Sequence, residues 1–174
     1  MNYGNIKKCD IADGSGVRVS LFISGCSNHC KGCFNPETWD FNYGNSFIED
    51  TKKEIFDQLD LHYVNGLTLL GGDPFESANQ KVLTPFLKEV RDKYPNKSIW
   101  AYTGYIYENL ISKDIYPRCE CTDEMLSYID ILVDGPFMEE KKNISLVFRG
   151  SENQRIIDLN ETRKTGKLSL WKNS

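Results

Sequence analysis

No apolar run in this sequence approaches the roughly 20 residues that a bilayer-spanning helix needs, so no membrane-embedded segment is expected. Residues 1–10 are polar and lack the apolar stretch of a secretory signal. No block of basic residues stands out either. The 21 Lys and Arg are outnumbered by 25 Asp and Glu, for a formal net charge of −4. The usual electrostatic footprint of a nucleic-acid-binding protein is therefore missing. Internal repeats, low-complexity tracts and an interdomain linker are also missing. These absences leave the expectation of a cytoplasmic chain with neither membrane nor nucleic acid as a partner.

The 174 residues suit one domain with a real core, and the 40% hydrophobic and 26% charged fractions are those of an ordinary globular protein. Six cysteines are present. Thiols stay reduced in the cytoplasm, so metal binding or catalysis is the better reading of them than disulfides.

Apolar runs at 19–24, 67–70, 98–102, 129–133 and 146–148 read as strands. The first four each end at a glycine turn: Ser24-Gly25, Gly71-Gly72, Thr103-Gly104 and Asp134-Gly135. Near-continuous apolar strands are typical of parallel sheets buried on both faces. Helical patterns lie between them. Ser46 and Glu49 read as a capping box ahead of Ile48, Ile55, Phe56 and Leu59. A second helix is expected over 79–94, displaced or kinked by Pro85, a third around Ile106, Leu110 and Ile111, and a fourth capped by Thr122. The alternation predicts an α/β domain with mostly parallel strands. Ligands of such sheets gather at the carboxyl ends of the strands, so the four glycine turns should face one cleft. The domain is expected to span 1–158, with 159–174 a polar, loosely attached tail.

The segment Gly25-Cys26-Ser27-Asn28-His29-Cys30-Lys31-Gly32-Cys33-Phe34-Asn35 sets three cysteines at C-x3-C-x2-C spacing just after a strand. One short loop can wrap such thiolates around an iron–sulfur cluster. Three local ligands leave one iron of a [4Fe–4S] cube open to a small molecule. A structural zinc site is the rival reading, with His29, Cys119 or Cys121 as a fourth ligand, and a non-catalytic binding module would follow from it. Cys119-x-Cys121 follows Pro117 and reads either as inert surface cysteines or as an accessory pair. Cys9 is expected to be a packed small residue.

This loop resembles that of the radical S-adenosylmethionine (SAM) superfamily. Further motifs run in family order: Gly25-Cys26 to Thr38-Trp39, Gly71-Gly72-Asp73-Pro74, Trp100-x-Tyr102-Thr103-Gly104-Tyr105, Val133-Asp134-Gly135-x-Phe137 and Arg149-Gly150-Ser151-x-Asn153-Gln154. Together they are similar to the anaerobic ribonucleoside-triphosphate reductase-activating proteins, over about residues 1–158. Gly32 before the third cysteine, and Asp73 in place of a glutamate, fit that branch.

The resemblance implies a partial (β/α) barrel, open on one side. It implies a [4Fe–4S] cluster on Cys26, Cys30 and Cys33, reduced by flavodoxin or a similar donor. SAM bound there would be cleaved reductively, and the 5′-deoxyadenosyl radical would take hydrogen from a glycine of the partner reductase. Gly32, Cys33 and Phe34 would face the adenosine part of SAM, while Gly71, Gly72 and Asp73 would lie beside its amino group. Thr103 and Asp134 could reach its ribose or carboxylate, or serve as turn and cap residues. Arg149 and Arg155 are candidates for the SAM carboxylate or the partner. His29 would tune or shield the cluster, and Trp39, Trp100 and Phe137 would be core or cleft wall. A radical SAM enzyme acting on another peptide or small molecule shares the same loop. An open barrel side would let the reductase's glycine loop enter and complete it.

Overall fold

The computed structural model describes residues 1–172. One seven-stranded sheet organises it, in the order β3-β1-β2-β4-β5-β6-β7. The strands are β1 (Asn2–Asp10), β2 (Arg18–Ile23), β3 (Asn45–Ser46), β4 (Gly66–Gly71), β5 (Ser98–Tyr102), β6 (Ile131–Asp134) and β7 (Arg155–Asp158). The central strands β2, β4, β5 and β6 are parallel. β1 and β7 flank them antiparallel, and β3 pairs with the outer side of β1. The α/β class with a parallel centre is as expected, while the sheet itself is open, with β3 and β7 at its edges.

Period-two alternation divides the strands between two environments. Val19, Leu21, Ile23, Leu67, Leu69, Ile99, Ala101 and Leu132 join one core cluster. Helices α1 (Glu49–Leu59), α2 (Ser77–Lys93) and α4 (Thr122–Tyr128) supply Ile55, Leu59, Leu83, Phe86, Leu87, Val90, Met125 and Leu126 to the same cluster. The other residues of the strands point away from that core. Trp100, Ile131 and Val133 form a second cluster, and Arg18, Ser20 and Thr68 bury polar side chains there.

Arg18 closes the amino ends of three parallel strands. Its guanidinium donates to Thr68 Oγ1 at 2.6 Å, to the Leu67 carbonyl at 2.8 Å and to the Ser98 carbonyl at 2.9 Å, and its charge lies 5.4 Å from the Trp100 ring centroid. Burial pushes this guanidinium down to about 10.

Several expectations are corrected. Residues 146–148 are irregular chain, not strand, because the run lies in an excursion between β6 and β7. β1, β3 and β7 were not foreseen; β1 and β7 carry polar residues on flanking strands, which blurs apolar alternation. Ser46 is drawn into β3 by pairing with Asn2, so α1 begins later and Thr51 Oγ1 accepts the Ile48 N–H instead, at 3.3 Å. α2 begins at Ser77 and continues through Pro85. Thr122 does not occupy the cap position of α4; its hydroxyl donates to Gln80 Oε1 at 2.6 Å.

Cys9 is exposed on β1 rather than packed. The segment after 158 is not loosely attached: α5 (Leu159–Thr165) buries Leu159 and Thr162, Leu170 bridges to Ile157, and Trp171 packs on Trp100 at 5.3 Å. Positions 173 and 174 of that expected tail lie outside the described residues. Among the described residues, no helix is long and apolar enough to cross a membrane.

Candidate active site

The carboxyl ends of the parallel strands open onto a cavity of about 630 Å³. The cysteine loop leaves β2 and folds back on itself. Gly25 N–H donates to the Thr38 carbonyl at 2.8 Å, Cys26 N–H to Trp39 at 3.2 Å and Cys33 N–H to Cys30 at 3.1 Å. A 3-10 turn over Pro36–Trp39 supplies the first two acceptors. Cys26, Cys30 and Cys33 thereby line one wall of the cavity together.

The Gly71-Gly72 turn presses directly on this loop. A Cβ at Gly72 would stand 2.6 Å from the Gly25 carbonyl oxygen and 2.8 Å from that of Thr38. Gly71 has φ +106°, and a Cβ there would meet the Ile23 backbone at 2.6 Å. Only glycine allows both the conformation and the approach. The contact is sealed by Gly72 N–H to the Ile23 carbonyl at 2.6 Å and Asp73 N–H to Gly25 at 2.8 Å. Asn79, in the first turns of α2, donates to the Ser24 carbonyl at 3.1 Å and to the Asp73 carbonyl at 2.9 Å.

Asp73 is completely buried in the cavity wall. Its Oδ1 accepts Phe75 N–H at 2.9 Å; its Oδ2 accepts Gly104 N–H at 2.9 Å, Thr103 Oγ1 at 3.0 Å and Asn28 Nδ2 at 3.0 Å. One carboxyl thus ties the cysteine loop to the ends of β4 and β5. Burial pushes it up to about 7, against the pull of these donors. Thr103 also accepts Tyr105 N–H at 3.1 Å, a turn role.

Of the residues singled out from sequence, Cys26, Cys30, Cys33, Phe34, Gly71, Gly72, Asp73 and Thr103 line the cavity. Gly32 and Asp134 do not. Gly32 turns with φ +73° beside Glu139. Asp134 accepts Tyr107 N–H at 2.7 Å, capping α3 (Tyr107–Ile111), and pairs with Arg155. Arg155 also pairs with Glu108 at 2.7 Å, so both its partners are carboxylates of this chain. Arg149 lines the cavity and donates to the Gln154 carbonyl. His29 stacks on Trp39 at 4.8 Å. Trp39 and Phe137 are cavity wall, whereas Trp100 is core. Cys119 and Cys121 do not reach the cavity; the Cys119 thiol faces Gln80 Oε1 at 3.5 Å.

Three contributors escaped the sequence reading. Asn28 lies inside the cysteine motif, and its polar amide between two ligand candidates was the available signal. Glu76 precedes α2 and could have been noticed only with the helix start placed correctly. The third is residues 142–148, whose Lys142, Leu146 and Phe148 wall the cavity and whose irregular chain gives no periodic signal.

The donor set suits an iron–sulfur cluster. Burial pushes the Cys26 thiol up to about 11 and also raises that of Cys30. Thiols held neutral by desolvation become thiolates when a metal supplies positive charge. N–H groups already point at the sulfurs: Asn28 Nδ2 lies 3.7 Å from Cys26 Sγ and Asn35 N lies 3.4 Å from Cys33 Sγ. Such bonds tune iron–sulfur sites. Among the described residues no three His, Cys, Asp or Glu side chains converge as around a single metal ion. A cube places each thiolate on a different iron, so its ligands stand further apart than those of one zinc.

Residues 12–157 match the family model described as the 4Fe-4S single cluster domain, and this defines the class of the protein. Curated relatives narrow it. The anaerobic ribonucleoside-triphosphate reductase-activating protein of Pasteurella multocida is 42% identical over 158 residues, covering 90% of this chain and 96% of its own. Its counterpart in Haemophilus influenzae is 41% identical, covering 90% and 97%. That of Enterobacteria phage T4 is 38% identical, covering 90% and 93%. The chain belongs to the family of anaerobic ribonucleoside-triphosphate reductase-activating proteins.

Proposed function

We propose that this protein is the radical SAM enzyme that activates an anaerobic ribonucleoside-triphosphate reductase. The observation that carries the reading is that Cys26, Cys30 and Cys33 line the same cavity as the Gly71-Gly72 turn. Bound there, a [4Fe–4S] cluster and SAM supply the chemistry: one electron cleaves the sulfonium C–S bond to methionine and a 5′-deoxyadenosyl radical, which removes hydrogen from a glycine of the reductase.

The chain's own residues have the work of holding and orienting. Cys26, Cys30 and Cys33 are the cluster ligands. The glycine turn offers backbone carbonyls to the SAM ammonium, and Phe34 offers an aromatic face to the adenine. Asp73 sets the wall by fixing Asn28, Thr103 and Gly104 rather than by free lone pairs. Gly32 and Asp134 act one step back from the cavity, as a turn and a cap.

The open sheet is a partial barrel of the radical SAM type. Its open side admits the glycine loop of the reductase, for which the exposed Phe34 and Ile144 of the cavity lining offer apolar contact. Flavodoxin or a similar cytoplasmic donor delivers the electron.

The test is activation of the reductase in an anaerobic mixture with SAM and reductant, followed by electron paramagnetic resonance. A glycyl radical forms with the wild type. Cys26→Ala, Cys30→Ala and Cys33→Ala each abolish it together with SAM cleavage, whereas Cys119→Ala does not. SAM cleavage retained by any of the first three would contradict the ligand assignment.

A further inference from the structure

Behind the cysteine loop, outside the cavity, lies a carboxylate that the ligand set does not use. Glu76 is 1% exposed and forms no ion pair among the described residues. Its Oε1 accepts Ser27 N–H at 2.7 Å and the Tyr105 hydroxyl at 2.9 Å. Its Oε2 accepts Ser27 Oγ at 3.2 Å and the Tyr116 hydroxyl. A buried carboxylate without a cation is tolerated when its lone pairs are this fully engaged. The donors come from separate places: the cysteine loop, the turn between β5 and α3, and the loop between α3 and α4. Ser27, which gives two of them, directly follows Cys26.

We propose that Glu76 is a positioning residue for the cluster. It holds Cys26 in place through Ser27, and its fixed negative charge lowers the reduction potential of whatever cluster the loop carries. This rests on the iron–sulfur reading above. Cluster potentials respond to local charge and to the hydrogen bonds around the sulfurs, and a nearby anion disfavours an added electron. Glutamine has the same shape. Its Oε1 can keep the Ser27 N–H, while its amide N–H₂ donates to the Ser27 and Tyr116 hydroxyls, which rotate to accept. Glu76→Gln therefore removes charge alone, and Glu76→Ala removes charge and anchor.

The experiment uses the full chain, reconstituted anaerobically with iron and sulfide, as wild type, Glu76→Gln and Glu76→Ala. Iron and sulfide per chain and the cluster midpoint potential are measured, and on the metal-free protein the rate of Cys26 alkylation by iodoacetamide. Glu76→Gln should bind iron as the wild type does, with reduction favoured about tenfold, a rise of about 59 mV for one electron. Glu76→Ala should expose Cys26 to alkylation about tenfold faster, and glutamine should restore the wild-type rate. An unmoved midpoint in Glu76→Gln, or an unchanged alkylation rate in Glu76→Ala, overturns the proposal. Should Glu76→Ala fail to fold, the midpoint of Glu76→Gln decides alone. A wild-type protein that takes up no iron would bring down the iron–sulfur reading and this proposal with it; a normal wild-type cluster with an unmoved Glu76→Gln midpoint brings down only the proposal.

Discussion

Gly71 and Gly72 are adjacent, yet alanine at each should fail differently. At Gly71 the φ of +106° is strained for any L side chain, at a cost of order 1–3 kcal/mol. The added Cβ also meets backbone atoms of Ile23 at 2.6 and 2.7 Å, inside β2, which cannot swing away. Overpacking of this kind costs about 1–3 kcal/mol, so Gly71→Ala should lose roughly 2–6 kcal/mol in all. Gly72 has no left-handed backbone. Its Cβ clashes with the carbonyls of Gly25 and Thr38, both in the cysteine loop, so Gly72→Ala should lose only about 1–3 kcal/mol. The relief available at Gly72 is displacement of the loop that carries Cys26.

Urea unfolding of the metal-free protein reads the stability of both variants, and iron retention against a chelator reads the loop. Gly71→Ala should be the less stable, while Gly72→Ala should lose iron faster than its modest destabilisation accounts for. Equal stability losses, or a Gly72→Ala variant that holds iron like the wild type, would mean that the Gly72 contact does not position the cysteine loop.

Asp13 supplies a pH dependence. Burial, then the neighbouring Asp10 carboxylate, pushes its carboxyl up to about 7. Between about pH 4 and that value the folded chain holds more proton on Asp13 than the unfolded chain does, so its contribution to stability is full below pH 4 and is lost as pH rises to about 7. Asp13→Asn removes the titrating group and should flatten that slope in metal-free protein; an unchanged slope by urea titration at several pH values would exclude this assignment. Trp171→Ala should cost about 1–2 kcal/mol of apolar burial, because the indole packs on Trp100 and Phe148. A thermal midpoint equal to wild type would mean that the end of the chain is not docked.

The parallel centre of the fold was legible because its strands are mostly apolar and each runs into a glycine turn. The same pattern foretold the shared cavity, since parallel strands deliver their carboxyl-end turns to one side of the sheet. β1 and β7 were not legible, since flanking strands with polar residues lack an apolar signature. The docking of residues 159–172 was hidden for a related reason. Its contacts depend on Leu159, Leu170 and Trp171, scattered in a polar stretch, finding β7 and Trp100. In the site, cysteine spacing alone brought the three thiols together. The functions of Asp73, Thr103 and Asp134 could not be read from position, because each is decided by which donors surround it. Asp134 turns to α3 and Arg155, and Asp73 serves Asn28, Thr103 and two backbone amides. Arg18, bonded to three different strands or their connections, has no sequence signal at all.

On the proposed function, a cluster on the three cysteines cleaves SAM. The most direct measurement is chromatographic assay of 5′-deoxyadenosine after anaerobic reconstitution with iron and sulfide and reduction in the presence of SAM. The predicted result is 5′-deoxyadenosine formation by the wild type and none by Cys26→Ala. A colourless protein that binds zinc and leaves SAM intact would contradict it.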